Sequence, residues 1–234
     1  MEEKIILGVA WFAVFLFSTT FHEAAHALLS FKLGDPTAYH GGQVSLNPLP
    51  HIQREPFGMV LVPIVSFALG GWMFGWASAP YDPHWAANYP RRAAWMALAG
   101  PLSNLLLFIV SGVFIFAGLR MGWFQPPQQL NFLSGIVAST QPGPLTGLAL
   151  LLSIFFSLNL ILFCFNLMPL PPLDGSGALP LILSSEHAYR YQQFMSQPGF
   201  TFLGLIVAWN VFPLIFKPIM IATVNILYPG MYQF

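Results

Sequence analysis

Charged side chains are scarce in this sequence. Only 7% of the 234 residues are Asp, Glu, Lys or Arg, whereas soluble domains carry about 25%. The eight acidic and eight basic residues balance, so the charge does not favour nucleic acid as a partner. Cysteine occurs once, at Cys164, which excludes an internal disulfide. These shortages exclude a soluble globule and a disulfide scaffold, and we predict an integral membrane protein that contacts the lipid bilayer.

The sequence contains long apolar runs instead. About 20 consecutive apolar residues form a helix long enough to cross a bilayer. Five runs exceed that length, at 5–33, 57–79, 93–119, 145–170 and 200–227. We therefore predict an all-α polytopic membrane protein with about four to six membrane helices.

The second run differs from the others because its interior contains Pro63, Gly70, Gly71 and Gly75 and because basic residues lie on both sides. This pattern is typical of a re-entrant segment, which enters and leaves on one face and buries its irregular backbone in protein. A single ordinary span is the alternative. Before this run, residues 37–46 contain two short β-capable stretches around a Gly-Gly pair, which predicts a small β-hairpin after the first helix.

The first run contains the pattern His-Glu-x-x-His at residues 22–26. Residues four apart leave the same face of a helix, so His22 and His26 present two imidazoles to one metal ion, and zinc favours imidazole nitrogen. Glu23 lies about 100° further round the helix, where it is better placed to act as general base on water than to bind metal. Charged groups within a span are costly and usually functional, which favours a metal site over a chance match.

A catalytic zinc ion needs a third protein ligand and an open position. Asp174 is the one carboxylate that follows an apolar run and a proline-rich break, at 169–172, and such a break lines polar cavities in membrane proteins. We predict that His22, His26 and Asp174 bind one Zn²⁺ per chain. Asn166, before the break, is a candidate donor to the oxyanion of the scissile carbonyl, and an ordinary interhelical hydrogen bond is the alternative.

Three motifs together resemble the site-2 protease family of intramembrane zinc metalloproteases. They are the metal motif at 22–26, Ala-Gly-Pro-Leu-Ser-Asn at 99–104, and Asn-Leu-Met-Pro-Leu-Pro-Pro-Leu-Asp-Gly at 166–175. The stretch 45–52 also resembles the compact prokaryotic branch of this family. We expect no PDZ or CBS domain, because no soluble block is long enough for one. The sequence departs from the family at Gly177, where many members have a basic residue.

The resemblance implies zinc held by His22, His26 and Asp174, with Glu23 activating water. It also implies hydrolysis of peptide bonds in or near transmembrane segments of membrane-protein substrates, that is, regulated intramembrane proteolysis. We expect one membrane-embedded domain over the whole chain, with a catalytic core at about residues 5–183 and an additional span at about 200–228.

A substrate helix hides its carbonyls and must unwind. Either the edge strand of the predicted hairpin at 37–46 or the unwound chain at 166–173 would hold it by strand addition. Candidate substrate contacts lie in the connector after the first run: Gln43, Val44, Ser45, Asn47 and His51. With the motif end facing the cytoplasm of a prokaryotic cell, the inner connectors hold more basic residues than the outer ones, as expected. The inner set is Lys32, Arg54, Arg91, Arg92 and Arg190, and the outer set is Lys4 and Arg120.

Two other classes of function stay open. One is a zinc-binding membrane protein without catalysis, such as a transporter, although transporters usually contain repeated halves. The other is a proteolytically silent partner, which has no need of Glu23. Nothing in the sequence indicates an oligomeric state.

Overall fold

The computed structural model describes residues 2–195, 197 and 199–232. In chain order the elements are α1 (Glu2–Leu33), α2 (Thr37–His40), α3 (Pro48–Arg54), a π-helical turn (Phe57–Leu61) that continues into α4 (Val62–Gly70), α5 (Pro83–Asn88), α6 (Pro90–Arg120), β1 (Phe124–Gln125), β2 (Ala138–Ser139), α7 (Pro144–Asn166), α8 (Asp174–Ala178), a 3₁₀ turn (Leu179–Leu181), α9 (Ser185–Met195) and α10 (Phe200–Leu227).

In the described part of the chain, the helices α1, α6, α7 and α10 are long and apolar enough to cross a membrane. Many of their large apolar side chains are exposed, among them Val113 and Phe114 on α6 and Leu214 and Ile226 on α10. Such surface requires lipid rather than water as solvent. The prediction of an all-α polytopic membrane protein with four to six membrane segments is confirmed.

The centre of the bundle consists of α1, α6 and α7, which pack against one another. Trp11 and Phe15 of α1 are fully buried and pack with Ile154 of α7. Helix α10 packs on α7 through its residues Met220 and Val224. In lipid this packing stabilises the bundle through dispersion contacts more than through removal of surface from water. The three central helices form the scaffold that positions the polar residues of α1.

The segment 57–79 folds back on itself. Its helical half is bent by 112° relative to α3, and the returning chain lies alongside it, with the amide of Trp76 donating to the carbonyl of Gly58 at 3.2 Å. At the base, the hydroxyl of Ser78 donates to Oε1 of Glu55 at 2.6 Å. The segment therefore ends beside the point where it begins, and the re-entrant form of the prediction is confirmed.

The predicted β-hairpin at 37–46 is wrong in its position. Residues 37–40 form one helical turn and the chain that follows is irregular. The cause is Asp35, whose carboxylate accepts hydrogen bonds from the amide of Thr37 at 3.0 Å and from its hydroxyl at 2.5 Å, an arrangement that competes with strand pairing. The small antiparallel strand pair of this fold, β1 with β2, lies between α6 and α7.

A break in the helical chain separates α7 from α8. Here α7 ends at Asn166 and α8 begins at Asp174. Gly175 lies directly against the backbone carbonyls of Leu167 and Met168, where a Cβ atom would overlap them. This close approach turns the chain, and α8 packs against α6. As the prolines predict, regular helix is interrupted here.

Candidate metal centre

His22 and His26 lie one turn apart on the buried face of α1, and each is only 6% exposed. Their Nε2 atoms are 3.0 Å apart, and their rings meet edge to face with centroids 4.7 Å apart. Residues four apart on a helix share a face, and here that face is turned towards α6 and α8. Both Nε2 atoms therefore point into one small space.

Asp174 completes a triangle of donor atoms. Its Oδ2 lies 3.0 Å from Nε2 of His22 and 3.3 Å from Nε2 of His26. Ligands about 2.0–2.1 Å from a tetrahedral zinc ion stand roughly 3.3 Å from one another. The triangle therefore has about the dimensions of one face of such a tetrahedron, so the three residues fit a zinc ion and leave its fourth position open.

The other ring nitrogen of each histidine faces an oxygen acceptor. Nδ1 of His26 lies 2.7 Å from the backbone carbonyl of Met96, and Nδ1 of His22 lies 2.5 Å from Oδ1 of Asn104. A carbonyl oxygen accepts a hydrogen bond but cannot donate one, so Nδ1 carries the hydrogen and Nε2 keeps its lone pair. This tautomer is the one that a metal ligand requires.

Gly100 of α6 provides the space in front of the histidines. A Cβ atom at this position would overlap Nε2 of both His22 and His26. Glycine is needed here for the close approach of α6 to the donor atoms, not for an unusual backbone conformation. The result is a close contact between α6 and the donor atoms of α1.

Glu23 lies beside the donor triangle and is 6% exposed. One of its carboxylate oxygens is within 4.8 Å of the ligand nitrogens of His22 and His26. When ionised, Glu23 and Asp174 bring two negative charges into a buried site whose other donors are neutral imidazoles. Uncompensated buried charge is costly, and a divalent cation offsets both charges. The charge of the donor set therefore also fits Zn²⁺.

The site lies within the bundle rather than at its end. His26 precedes the end of α1 at Leu33 by about seven residues, which corresponds to roughly 10 Å at 1.5 Å per residue. Met96 follows the start of α6 at Pro90 by about six residues, or roughly 9 Å. The two helices thus bring their polar groups to the same depth.

A mainly apolar cavity of about 380 Å³ lies between α1 and the connector that follows it. The two alanines that follow Glu23, Ala24 and Ala25, line one wall. Val44 and Ser45, both predicted substrate contacts, line the facing wall. The structure thus places these two residues at a cavity that borders α1, and their contact with substrate stays a prediction.

The remaining predicted contacts have other positions. Gln43 is buried and donates from Nε2 to the carbonyl of Ser78 at 3.2 Å. His51 is buried, with Nε2 3.1 Å from the carbonyl of Ser45, and Asn47 caps α3 by accepting from the amide of Leu49. These three residues hold the connector in place behind the cavity wall.

Asn166, the predicted oxyanion donor, is the half-buried last residue of α7. The structure does not bring it into the donor triangle, and no hydrogen bond involves its side chain among the described residues. Its role stays a prediction.

Three residues of α6 contribute to the site without having been predicted to do so. In the sequence, Gly100 and Asn104 indicate only close packing of helices, and Met96 is one apolar residue among many. In the structure Met96, Gly100 and Asn104 follow one another at intervals of four and face the histidines. This interval of four is the same as that between His22 and His26. It is the sequence signal that could have predicted one face of α6 opposite the histidine face of α1.

The chain is similar to known proteins over most of its length. The profile of Peptidase family M50 matches residues 10–206. "Putative zinc metalloprotease YwhC" of Bacillus subtilis (strain 168) is 35% identical over 191 residues, which cover 81% of this chain and 76% of that protein. "Putative zinc metalloprotease Rip2" of Mycolicibacterium smegmatis (strain ATCC 700084 / mc(2)155) is 32% identical over 174 residues, which cover 74% of this chain and 57% of that protein. No solved structure is significantly similar.

The matched region contains the whole donor triangle together with Glu23 and the α6 residues that face it. The family and the names of these relatives imply a zinc ion. The geometry and the charge of the donor triangle fit such an ion. With four apolar helices long enough to span a bilayer, the chain belongs to Peptidase family M50, the site-2 protease family, and is a membrane metalloprotease.

Proposed function

We propose that this protein is an intramembrane zinc endopeptidase that hydrolyses peptide bonds in or near transmembrane segments of other membrane proteins. The observation that carries the proposal is the depth of the donor triangle, roughly 10 Å inside the ends of two apolar helices. A protease of soluble chains has no need of a site at that depth. The catalytic unit is one membrane-embedded domain with its core at about residues 5–183, to which α10 adds a further span.

His22, His26 and Asp174 hold one Zn²⁺ per chain through two Nε2 atoms and Oδ2. When bound, zinc polarises the scissile carbonyl and lowers the pKa of water to about 7. Glu23 takes the proton from the attacking water and then gives it to the amine that leaves. Asn166 donates from its amide to the oxyanion as the substrate seats beside the break after α7.

The substrate binds as unwound chain along the connector at 43–46. In the part of the chain that the structure describes, no hydrogen bond uses the backbone groups of Val44 or Leu46. Such free donors and acceptors are available to the backbone of an unwound peptide. Gln43 and His51 support this connector through the carbonyls of Ser78 and Ser45. The adjoining cavity receives a large apolar side chain of the substrate.

We place the protein in the inner or plasma membrane of a prokaryotic cell, with the metal centre near the cytoplasmic face. The connectors at the metal-centre end of the bundle carry five basic residues, and those at the other end carry two. The positive-inside rule then favours the cytoplasm for the metal-centre end. Membrane-protein substrates would be cleaved close to that face.

Glu23→Gln tests the proposal. The variant keeps the three ligands and should bind zinc like the wild type, but without the base its cleavage of a single-span reporter should fall by about 10²–10⁴-fold. His22→Ala should lower the zinc content instead. Glu3→Gln, an exposed glutamate at the start of the same helix, is the matched control and should cleave normally.

Cleavage by Glu23→Gln at the wild-type rate would refute the assignment of the base. A wild-type protein that binds zinc but cleaves no membrane substrate would favour the non-catalytic alternatives. In cells, membrane proteins that accumulate at full length with Glu23→Gln, and not with Glu3→Gln, identify the substrates.

A further inference from the structure

The hydrogen bonds behind His22 continue through Asn104 into α7. Nδ2 of Asn104 donates to Oδ1 of Asn159 at 2.8 Å. Nδ2 of Asn159 in turn donates to the carbonyl of Phe155 at 2.9 Å and to Oγ of Ser18 at 3.0 Å. Asn104, Asn159 and Ser18 are 0% exposed. A continuous polar chain therefore crosses the apolar centre of the bundle and joins α1, α6 and α7.

The direction of this chain is set at its far end. An amide side chain offers both donors and an acceptor, and a hydroxyl does the same, so neither Asn104 nor Ser18 determines which way the amides point. The carbonyl of Phe155 only accepts. Nδ2 of Asn159 must therefore face it, which turns Oδ1 of Asn159 towards Asn104.

The orientation of the Asn159 side chain determines the protonation of His22 in two steps. Because Oδ1 of Asn159 only accepts, Asn104 must present Nδ2 to it and Oδ1 to His22. His22 must then carry its proton on Nδ1 and keep the lone pair of Nε2 for the donor triangle. His26 obtains the same tautomer directly, from the backbone carbonyl of Met96, and needs no such chain.

We propose that Asn159 is a positioning residue of the metal centre, which fixes the amide orientation of Asn104 and, through it, the ligand tautomer of His22. The inference rests on the proposed zinc site but not on proteolysis. Asn159 has no contact with the metal, so its effect is expected on zinc affinity. Partners of ligating histidines typically contribute about 10–100-fold to metal affinity.

The test compares two substitutions of Asn159. Asn159→Asp has nearly the same shape, and in its neutral form it donates to the carbonyl of Phe155 and accepts from Asn104, so zinc affinity should stay within a few-fold of the wild type. Asn159→Ala removes the acceptor, Asn104 is free to rotate, and affinity should fall by about 10-fold or more. Asn159→Leu, tested in parallel, removes the acceptor without leaving a cavity. Affinity is measured by competition with a chelator on the purified protein in detergent.

Ser157→Ala is the matched control. Ser157 is a buried polar residue of the same helix that has no partner among the described residues, and its loss should leave zinc affinity unchanged. In an Asn104→Ala background, Asn159→Ala should cause no further loss, because its effect passes through Asn104.

Equal losses with Asp and Ala at position 159, or additive losses in the Asn104→Ala background, would overturn the proposal and assign Asn159 to packing alone. His22→Ala separates the two hypotheses. If that variant binds zinc normally, the zinc site itself is wrong; if it loses zinc while Asn159→Ala keeps wild-type affinity, only the positioning role is wrong.

Discussion

Gly100→Ala tests the geometry of the metal centre most directly. The added Cβ atom overlaps Nε2 of both His22 and His26, whereas non-bonded atoms need about 3.5 Å. Relief of the overlap requires the rings to retreat by roughly 1 Å, but zinc ligand distances tolerate only about 0.2 Å. The retreat would also stretch the hydrogen bonds of the two Nδ1 atoms to Met96 and Asn104.

The expected result is a loss of zinc affinity of at least about 100-fold, the upper end of what the loss of a supporting partner causes. Zinc bound per chain is measured after equilibration in chelator-buffered zinc, and reporter cleavage is measured in the same samples. Gly112→Ala is the matched control in α6, because its Cβ atom would lie 3.3 Å from the ring of Phe156 and far from the site. Both variants gain about 0.5–1 kcal/mol of helix propensity, so neither should lose its fold for that reason. A Gly100→Ala protein with wild-type zinc affinity and cleavage would refute the arrangement of α6 against α1.

Two further predictions concern the cavity and the connector. Ala25→Phe should fill part of the cavity and lower cleavage of reporters with a large apolar residue by about 10-fold at unchanged zinc content. Ala13→Phe, on an exposed part of the same helix, should leave cleavage unchanged. An Ala25→Phe protein that cleaves these reporters like the wild type would contradict the role of the cavity. Asp35→Asn should lower the free energy of unfolding by about 1–3 kcal/mol at pH 7, measured by thermal unfolding. The reason is that an Asn side chain cannot accept all the hydrogen bonds that Asp35 accepts from Thr37 and from the backbone amide of Asp82. Burial raises the pKa of Asp35, but these bonds more than offset it and hold the pKa below its usual value. The stabilisation should therefore be present above about pH 4 and decline as pH falls towards the lower folded pKa. A difference between wild type and Asp35→Asn that does not shrink as the pH falls below about 4 would contradict this account.

The three residues of the donor triangle could be singled out because their signals are local. His22 and His26 share a helix face by spacing alone, and Asp174 stands out as a carboxylate after an apolar run and a proline-rich break. Each expectation needed only the chain around the residue. The structure places their donor atoms within 3.3 Å of one another.

The parts that could not be predicted depend on contacts distant in sequence. Gly100 and Asn104 become site residues only because α6 presents one particular face to α1, and periodicity does not specify which of several apolar faces that is. The connector at 37–46 shows a different limit. Its β-capable composition was outweighed by the carboxylate of Asp35, whose bonds to Thr37 favour a helical turn over a strand.

The re-entrant segment at 57–79 also governs the relative direction of the two helices that form the metal centre. Because the segment returns to the face that it left, the number of membrane crossings between α1 and α6 is even, and α6 starts where α1 stops. A complete crossing would make that number odd and would turn α6 end for end. Met96 would then lie roughly 25 Å from the depth of His26, and Gly100 roughly 15 Å from that of His22. The site therefore exists only while that parity is kept.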